Sequence, residues 1–232
     1  MGAMRPPSVL VFTRTNGYRH DSIPDGVAAF RALGAEHGFS VRHTEDPDAF
    51  TDDLGTVRAV VFLSTMREVL TPEARDALRG YMAAGGGFVG VHSAAGTELH
   101  WPYFGELIGA RFTHHPPLQP GVVVVEDHDH PATRHLGDTW PLVDEWYEFQ
   151  DNPRGRVRVL LRVDEDSYGS GTMGADHPLA WSRELDGGGR SFFTSLGHTR
   201  EIYADPDFRR HLLGGLRYVA RLGGPSGSGT AG

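Results

Sequence analysis

Gly87-Phe88-Val89-Gly90-Val91-His92-Ser93-Ala94 is an apolar run that ends abruptly in polar residues. Gly87 to His92 shows no polar alternation, which is the pattern of a strand buried on both faces of a parallel sheet. Its second half, Gly90-Val91-His92-Ser93-Ala94, reads small, variable, reactive, variable, small. That frame suits a sharp strand-to-helix turn, because small neighbours let the middle side chain project into a site. Here the middle residue is His92, with Ser93 as an alternative nucleophile. The same residues also read as a plain strand end whose histidine bonds locally.

Upstream, Ser8 to Thr13 (SVLVFT), Phe39 to Thr44 and Val57 to Thr65 (VRAVVFLST) are further apolar runs of strand length. Between the first two, Ile23, Val27, Phe30 and Leu33 recur at helical spacing behind Ser22 and Pro24, and Gly38 stops the helix. A second helix opens at Thr71-Pro72-Glu73, runs through Met82 and ends in Gly85-Gly86-Gly87. Strand, helix, strand, strand, helix, strand predicts an α/β sandwich with a mostly parallel central sheet and helices on both faces. Downstream the pattern is less regular. A helix is expected over Glu98 to Ile108, and strands over Val122 to Glu126, Arg156 to Val163, Leu179 to Glu184 and Arg190 to Leu196, some of them antiparallel. Asp205-Pro206 opens a last helix through about Arg221. One domain over residues 8–222 is expected, with a Gly/Ser tail at 223–232 and Met1 to Met4 outside the fold.

The net charge of −8 comes from scattered acids, which argues against nucleic acid or an anionic membrane as partner and for a neutral small molecule. The absence of cysteine excludes disulfides, thiolate metal sites and cysteine nucleophiles together. No apolar run approaches the length of a membrane span and the first residues lack a signal-peptide core, so a cytoplasmic location is expected.

In an open parallel sheet ligands bind beyond the carboxyl ends of the strands. The polar residues that follow predicted strands are the Arg14 to His20 loop, Ser64-Thr65, His92-Ser93 and His198-Thr199-Arg200-Glu201. Asp144-Glu145-Trp146-Tyr147-Glu148 adds acids beside aromatics, a composition suited to sugars. If that segment is extended, Glu145 and Tyr147 share one face while Asp144, Trp146 and Glu148 share the other, which favours Glu145 and disfavours a hydrolytic Glu145–Glu148 pair. The catalytic candidates are therefore His20, His92, Glu145 and His198. Candidates for binding substrate are Arg14, Tyr18, Ser93, His115, Gln119, Trp146, Arg200 and Glu201. The four catalytic candidates would either hold a divalent ion such as zinc or form an acid/base array without one. No His-x-x-x-His or cysteine spacing marks a metal site.

Seven segments in order are similar to successive motifs of the ThuA-like (trehalose utilisation) family. They are GFVGVHSA (Gly87 to Ala94), WPYFGELIGARFTHHPPLQ (Trp101 to Gln119), VVEDHDHPATRHL (Val124 to Leu136), DEWYEF (Asp144 to Phe149), DHPLAW (Asp176 to Trp181), GGGRSFFTSLGHT (Gly187 to Thr199) and YADPDFRRHLLGG (Tyr203 to Gly215). VFTRTNGYRHDSI resembles the family's opening motif, so the likeness covers nearly the whole chain. The elbow also resembles the flavodoxin-like class I glutamine amidotransferase fold, where cysteine takes the central position; without one, glutaminase activity is not expected. The resemblance implies a role in sugar catabolism beside an oxidoreductase that makes 3-keto sugars. The activity it implies is elimination or hydrolysis of a (3-keto-)glycoside, and the rival reading is a non-catalytic sugar-binding or assembly module. The oligomeric state is left open, a homo-oligomer included.

Overall fold

The computed structural model describes residues 6–222. The expected Met1 to Met4 segment and the 223–232 tail lie outside the described residues. The chain alternates β1 (Ser8–Phe12), α1 (Ile23–His37), β2 (Ser40–Thr44), α2 (Ala49–Asp53), β3 (Ala59–Leu63), α3 (Pro72–Ala83) and β4 (Gly87–Val91). Strand β1 pairs in parallel with β2 and β3, and β3 with β4. Caps account for the helix ends. Gly38 adopts the left-handed conformation (φ 76°) that closes α1, and the Thr71 hydroxyl accepts from Ala74 N at 3.2 Å to open α3.

The second half contributes α4 (Pro102–Ile108), β5 (Phe112–His114), β6 (Gln119–Val125), β7 (Thr139–Asp144), β8 (Glu148–Phe149), β9 (Arg158–Asp164), β10 (His177–Glu184), β11 (Arg190–Thr194) and α5 (Pro206–Ala220). Among the described residues the main sheet has nine strands in the order β2-β1-β3-β4-β11-β10-β9-β6-β7, and β5 pairs with β8 apart from it. Strand β11 joins β4 in parallel, whereas β10, β9, β6 and β7 continue the sheet antiparallel. The sheet is thus parallel from β2 to β11, antiparallel from β11 to β7 and mixed as a whole.

Strands buried on both faces send alternate residues into two cores. Val9, Val11, Val61, Leu63, Val89 and Val91 pack with residues of α1 and α5 on one face. Leu10, Phe12, Val60, Phe62 and Phe88 pack with residues of α2, α3 and α4 on the other. Among the described residues no helix is long and apolar enough to cross a membrane.

Five elements differ from the sequence expectation. Strand β7 contains Pro141, which cannot donate to a ladder, and the structure places it at a sheet edge where that omission is tolerated. Strands β5 and β8 and helix α2 are too short to carry a periodic signal. Helix α4 starts at Pro102 rather than Glu98. Glu98 instead takes a left-handed φ of 51°, and its enclosed carboxylate accepts from Val69 N and Leu70 N at 2.8 Å each and from Arg75 at 2.6 Å.

Helix α5 encloses His211, whose Nδ1 donates to Ala132 O at 2.9 Å. Burial lowers its pKa from 6.5 to about 3, and burial followed by the charge of Arg158 lowers that of His130 to about 4. Both rings are neutral in the fold, and both take up a proton on unfolding once the pH is below their ordinary value. The unfolded state therefore binds more protons in this window, and stability falls as pH drops. We expect the thermal midpoint to decline between about pH 6.5 and 5.5, above the carboxylate range, and H211Q to flatten that decline. Thermal melts across the interval, with no slope or an unchanged slope in H211Q, would refute the assignment.

Candidate functional site

Four elements deliver side chains to one rim of the sheet. His20 ends the loop that leaves β1, His92 follows β4, and His198 lies just beyond β11. Glu145 follows β7 at the far edge. From β11 through β10, β9 and β6 to β7 the chain direction reverses four times. Strand β7 therefore runs in the β11 direction again and exits at the same rim. The segment after it then crosses back to pair β8 with β5.

His92 opens a 3-10 turn (His92–Gly96) with φ 54°. A left-handed histidine costs on the order of 1–3 kcal/mol, and such strain persists only where surrounding contacts hold it. Here Nδ1 donates to Ser195 O at 2.7 Å, which directs Nε2 inward. That nitrogen lies 3.0 Å from His20 Nε2, 3.0 Å from the Tyr147 hydroxyl and 3.5 Å from Glu145 Oε2. His198 Nδ1 is 3.0 Å from the same Glu145 oxygen, close enough to pair but off the line of a hydrogen bond. One ligand atom from each of His20, His92, Glu145 and His198 falls within 4.8 Å of the others.

Asp144 joins the two halves of this cluster. Its fully buried carboxylate accepts from Glu145 N at 2.8 Å and His198 N at 3.2 Å through Oδ1, and from Gly197 N at 2.9 Å through Oδ2. Gly197 sits at φ 124°, and a Cβ there would meet the Tyr203 hydroxyl at 2.8 Å, so the close approach requires glycine.

The charges interlock. Burial opposes ionisation of Glu145, but the contacts with His198 and His92 outweigh it and hold the carboxyl well below the usual range. The contact with Glu145 raises the pKa of His198 against its burial. Burial, then the neighbouring His92 and His198, lowers that of His20 to about 3. Burial likewise pushes the Asp144 carboxyl up, against His92 and the three amides.

This donor set fits a divalent cation. Inward-facing imidazole nitrogens, one carboxylate held ionised, a ligand histidine oriented by a backbone carbonyl and a His198 Nδ1 lacking a hydrogen bond are what such an ion requires.

The remaining candidates divide. The Tyr18 ring is 61% exposed and lies edge-on to His20 at 4.8 Å, and Ser93 Oγ is 3.5 Å from His20 Nδ1. His115 Nε2 lies 3.5 Å from Glu145 Oε1. Arg14 stands half-buried where the loop leaves β1. The other four are not brought to the cluster. Gln119 bonds Pro117 O, Gly169 O and Gly169 N, which pins a loop and leaves its amide engaged there. Trp146 is fully enclosed over Gly121, with its ring 5.7 Å from that of Tyr168, so it has no face for a sugar. Arg200 is exposed and pairs with Asp25 at 2.9 Å, and Glu201 is exposed at the start of a 3-10 turn. Glu148 is buried against Thr172 and, at 3.3 Å, His114.

Sequence reasoning missed two residues, Asp144 and Tyr147. Strand alternation had placed Tyr147 beside Glu145, which was the available signal. Nothing local indicated that the opposite face, with Asp144, would meet the Gly197-His198 backbone.

A family model described as ThuA, trehalose utilisation, matches residues 8–219. Among solved structures, a ThuA-like protein from Bacteroides uniformis is 25% identical with a TM-score of 0.77, over 94% of each chain. A ThuA-like protein from Parabacteroides merdae is 21% identical with a TM-score of 0.77, over 93% of this chain and 90% of that one. PurLQS from Thermotoga maritima, at 13% identity and a TM-score of 0.55 over 92% of this chain and 99% of that one, shares the fold alone. No curated protein matches the chain. The fold is the class I glutamine amidotransferase-like sandwich, with His92 at the elbow and no cysteine in the chain.

Chelator-treated protein titrated with zinc is expected to bind one equivalent. Asp144→Asn turns an amide N–H₂ toward a backbone N–H and is expected to weaken that binding about 10–100-fold, while Gln119→Ala leaves it unchanged. Calorimetry showing equal affinity in D144N and wild type would remove Asp144 from the site.

Proposed function

The chain belongs to the ThuA family of trehalose utilisation, and from that premise we propose that it cleaves a 3-keto-glycoside in sugar catabolism, by elimination across C1 and C2. A sugar oxidoreductase would supply the substrate. The observation that carries the reading is the convergence of His20, His92, Glu145 and His198 within 4.8 Å at the ligand-binding rim. Tyr18 and His115 border the cluster with aromatic surface suited to the C–H face of a sugar.

A ketone at C3 acidifies the proton on C2. Removing that proton sends its electron pair into the enolate, and the enolate then expels the C1 oxygen substituent as the C1–C2 double bond forms. The departing oxygen takes up a proton, giving an enone and a free sugar, with no oxidant or reductant consumed. A divalent cation held by the four clustered residues would supply Lewis acidity toward the ketone oxygen. Among the chain's own groups, Asp144 fixes Glu145 and His198 in register, and Ser195 O fixes the ring of His92. Burial of His92 and Tyr147 excludes water from the floor of the site.

Direct hydrolysis by paired carboxylates is disfavoured, since Glu148 is bonded to Thr172 rather than facing the cluster. A purely sugar-binding module differs in one measurable respect. In the proposed enzyme His92→Ala lowers kcat far more than it changes KM, whereas in a binder it changes affinity alone. The deciding assay incubates purified protein with a 3-keto-disaccharide, with and without zinc or manganese, and follows release of the free sugar. Folded protein that leaves the substrate intact under every condition would overturn the proposal.

A further inference from the structure

The elimination proposed above, on which this inference rests, needs a group that takes the C2 proton. The four clustered donors are poorly placed to do so. His20 and His92 direct their Nε2 atoms at each other, 3.0 Å apart and enclosed, and Glu145 faces His92 and His198. These are also the atoms that would hold a cation, and a lone pair bound to a cation cannot accept a proton.

His115 differs in three respects. Its Nδ1 lies 2.8 Å from Pro116 O, a carbonyl that only accepts, so Nδ1 carries the hydrogen and Nε2 is the nitrogen open to a proton. That Nε2 is directed at the cluster, 3.5 Å from Glu145 Oε1. Its side chain is 32% exposed, against 22% for His198 and 0% for His92, so it is the most open to solvent of the three. The ring is also held in place. It stacks on Tyr147 with centroids 5.6 Å apart and planes 20° apart, and Phe112 backs Tyr147 at 4.2 Å. Pro116 and Pro117 stiffen the backbone that follows.

We infer that His115 is the general base of the reaction. Its Nε2 takes the C2 proton of the 3-keto sugar, the C2–H electron pair passes through the enolate into the C1–C2 double bond, and the C1–O bond breaks. The proton held on Nε2 then returns to the departing oxygen, so the base is regenerated and no other reactant is required. Glu145 Oε1, 3.5 Å from that Nε2, faces the imidazolium between the two transfers.

The test follows a 3-keto-disaccharide in D₂O by NMR, which reads C2 exchange and sugar release separately, together with zinc affinity by titration. H115A is expected to lose exchange and release together by about 10²–10⁴-fold, with KM changed only a few-fold, zinc affinity within about twofold of wild type, and exchange partly restored by added imidazole. H115Q, which keeps the bulk of the ring, is read the same way should H115A fold poorly. Exchange and release at wild-type rates in the variants overturn the assignment and leave the elimination reading standing. A loss of zinc affinity in step with turnover places His115 among the ligands and overturns it too. Wild-type protein that exchanges the C2 proton without releasing sugar, with exchange lost in the variants, overturns elimination and keeps His115 as the base. Wild-type protein that does neither overturns both.

Discussion

The candidate site depends on one buried carboxylate. Glu145 and His198 come from segments more than fifty positions apart, and nothing in their own backbones would bring them together. Asp144 does so by accepting three amide hydrogens, one from Glu145 and two from Gly197-His198. Leaving one such buried N–H without its acceptor costs about 1–3 kcal/mol, a large share of the stability of an ordinary domain. The position of Glu145 relative to His198 is thereby fixed more firmly than loop contacts alone would achieve.

The clamp works only because the sheet brings the two segments to the same rim. Parallel pairing from β2 to β11 lines up the carboxyl ends of β1, β4 and β11 as a matter of topology. The antiparallel half adds an even number of reversals before β7, so a strand four places away still exits on the correct side. An odd number would have sent Glu145 to the opposite rim. The antiparallel extension is therefore part of how the site is built, although its strands contribute few of the site's side chains.

The same division explains what the sequence made legible. In the parallel half, strands are continuous apolar runs and helices carry Ser, Thr, Pro and Gly signals, so β1, β3, β4, α1 and α3 could be read directly. His20, His92 and His198 followed, because the rule that ligands sit beyond strand ends needs only strand positions. In the antiparallel half β6, β9 and β10 were still legible as apolar runs, but for the shorter strands and the edge the local signal fails. Pro141 masks β7, and two-residue and three-residue strands have no period to detect. Trp146 was singled out for a composition suited to sugars and Arg200 and Glu201 for their place after the last strand, yet what Gln119, Trp146 and Arg200 meet is set by tertiary contacts, with Gly169, Gly121 and Asp25. Composition identifies a segment as sugar-like but cannot say which face it presents.

The electrostatics of the cluster follow from this geometry. Two carboxylates, Asp144 and Glu145, lie among three imidazoles in a region largely closed to water. Asp144 has its charge absorbed by backbone dipoles, so it orients without competing for the imidazoles' inward nitrogens. Glu145 has no backbone donor among its close contacts and turns both oxygens to histidines, Oε2 to His92 and His198 and Oε1 to His115. Two adjacent acids thus take different roles because one is surrounded by amides and the other by rings. The strand period places them on opposite faces, so a one-residue slip in the chain after β7 would exchange the two and leave the histidines facing a carboxylate of the wrong reach.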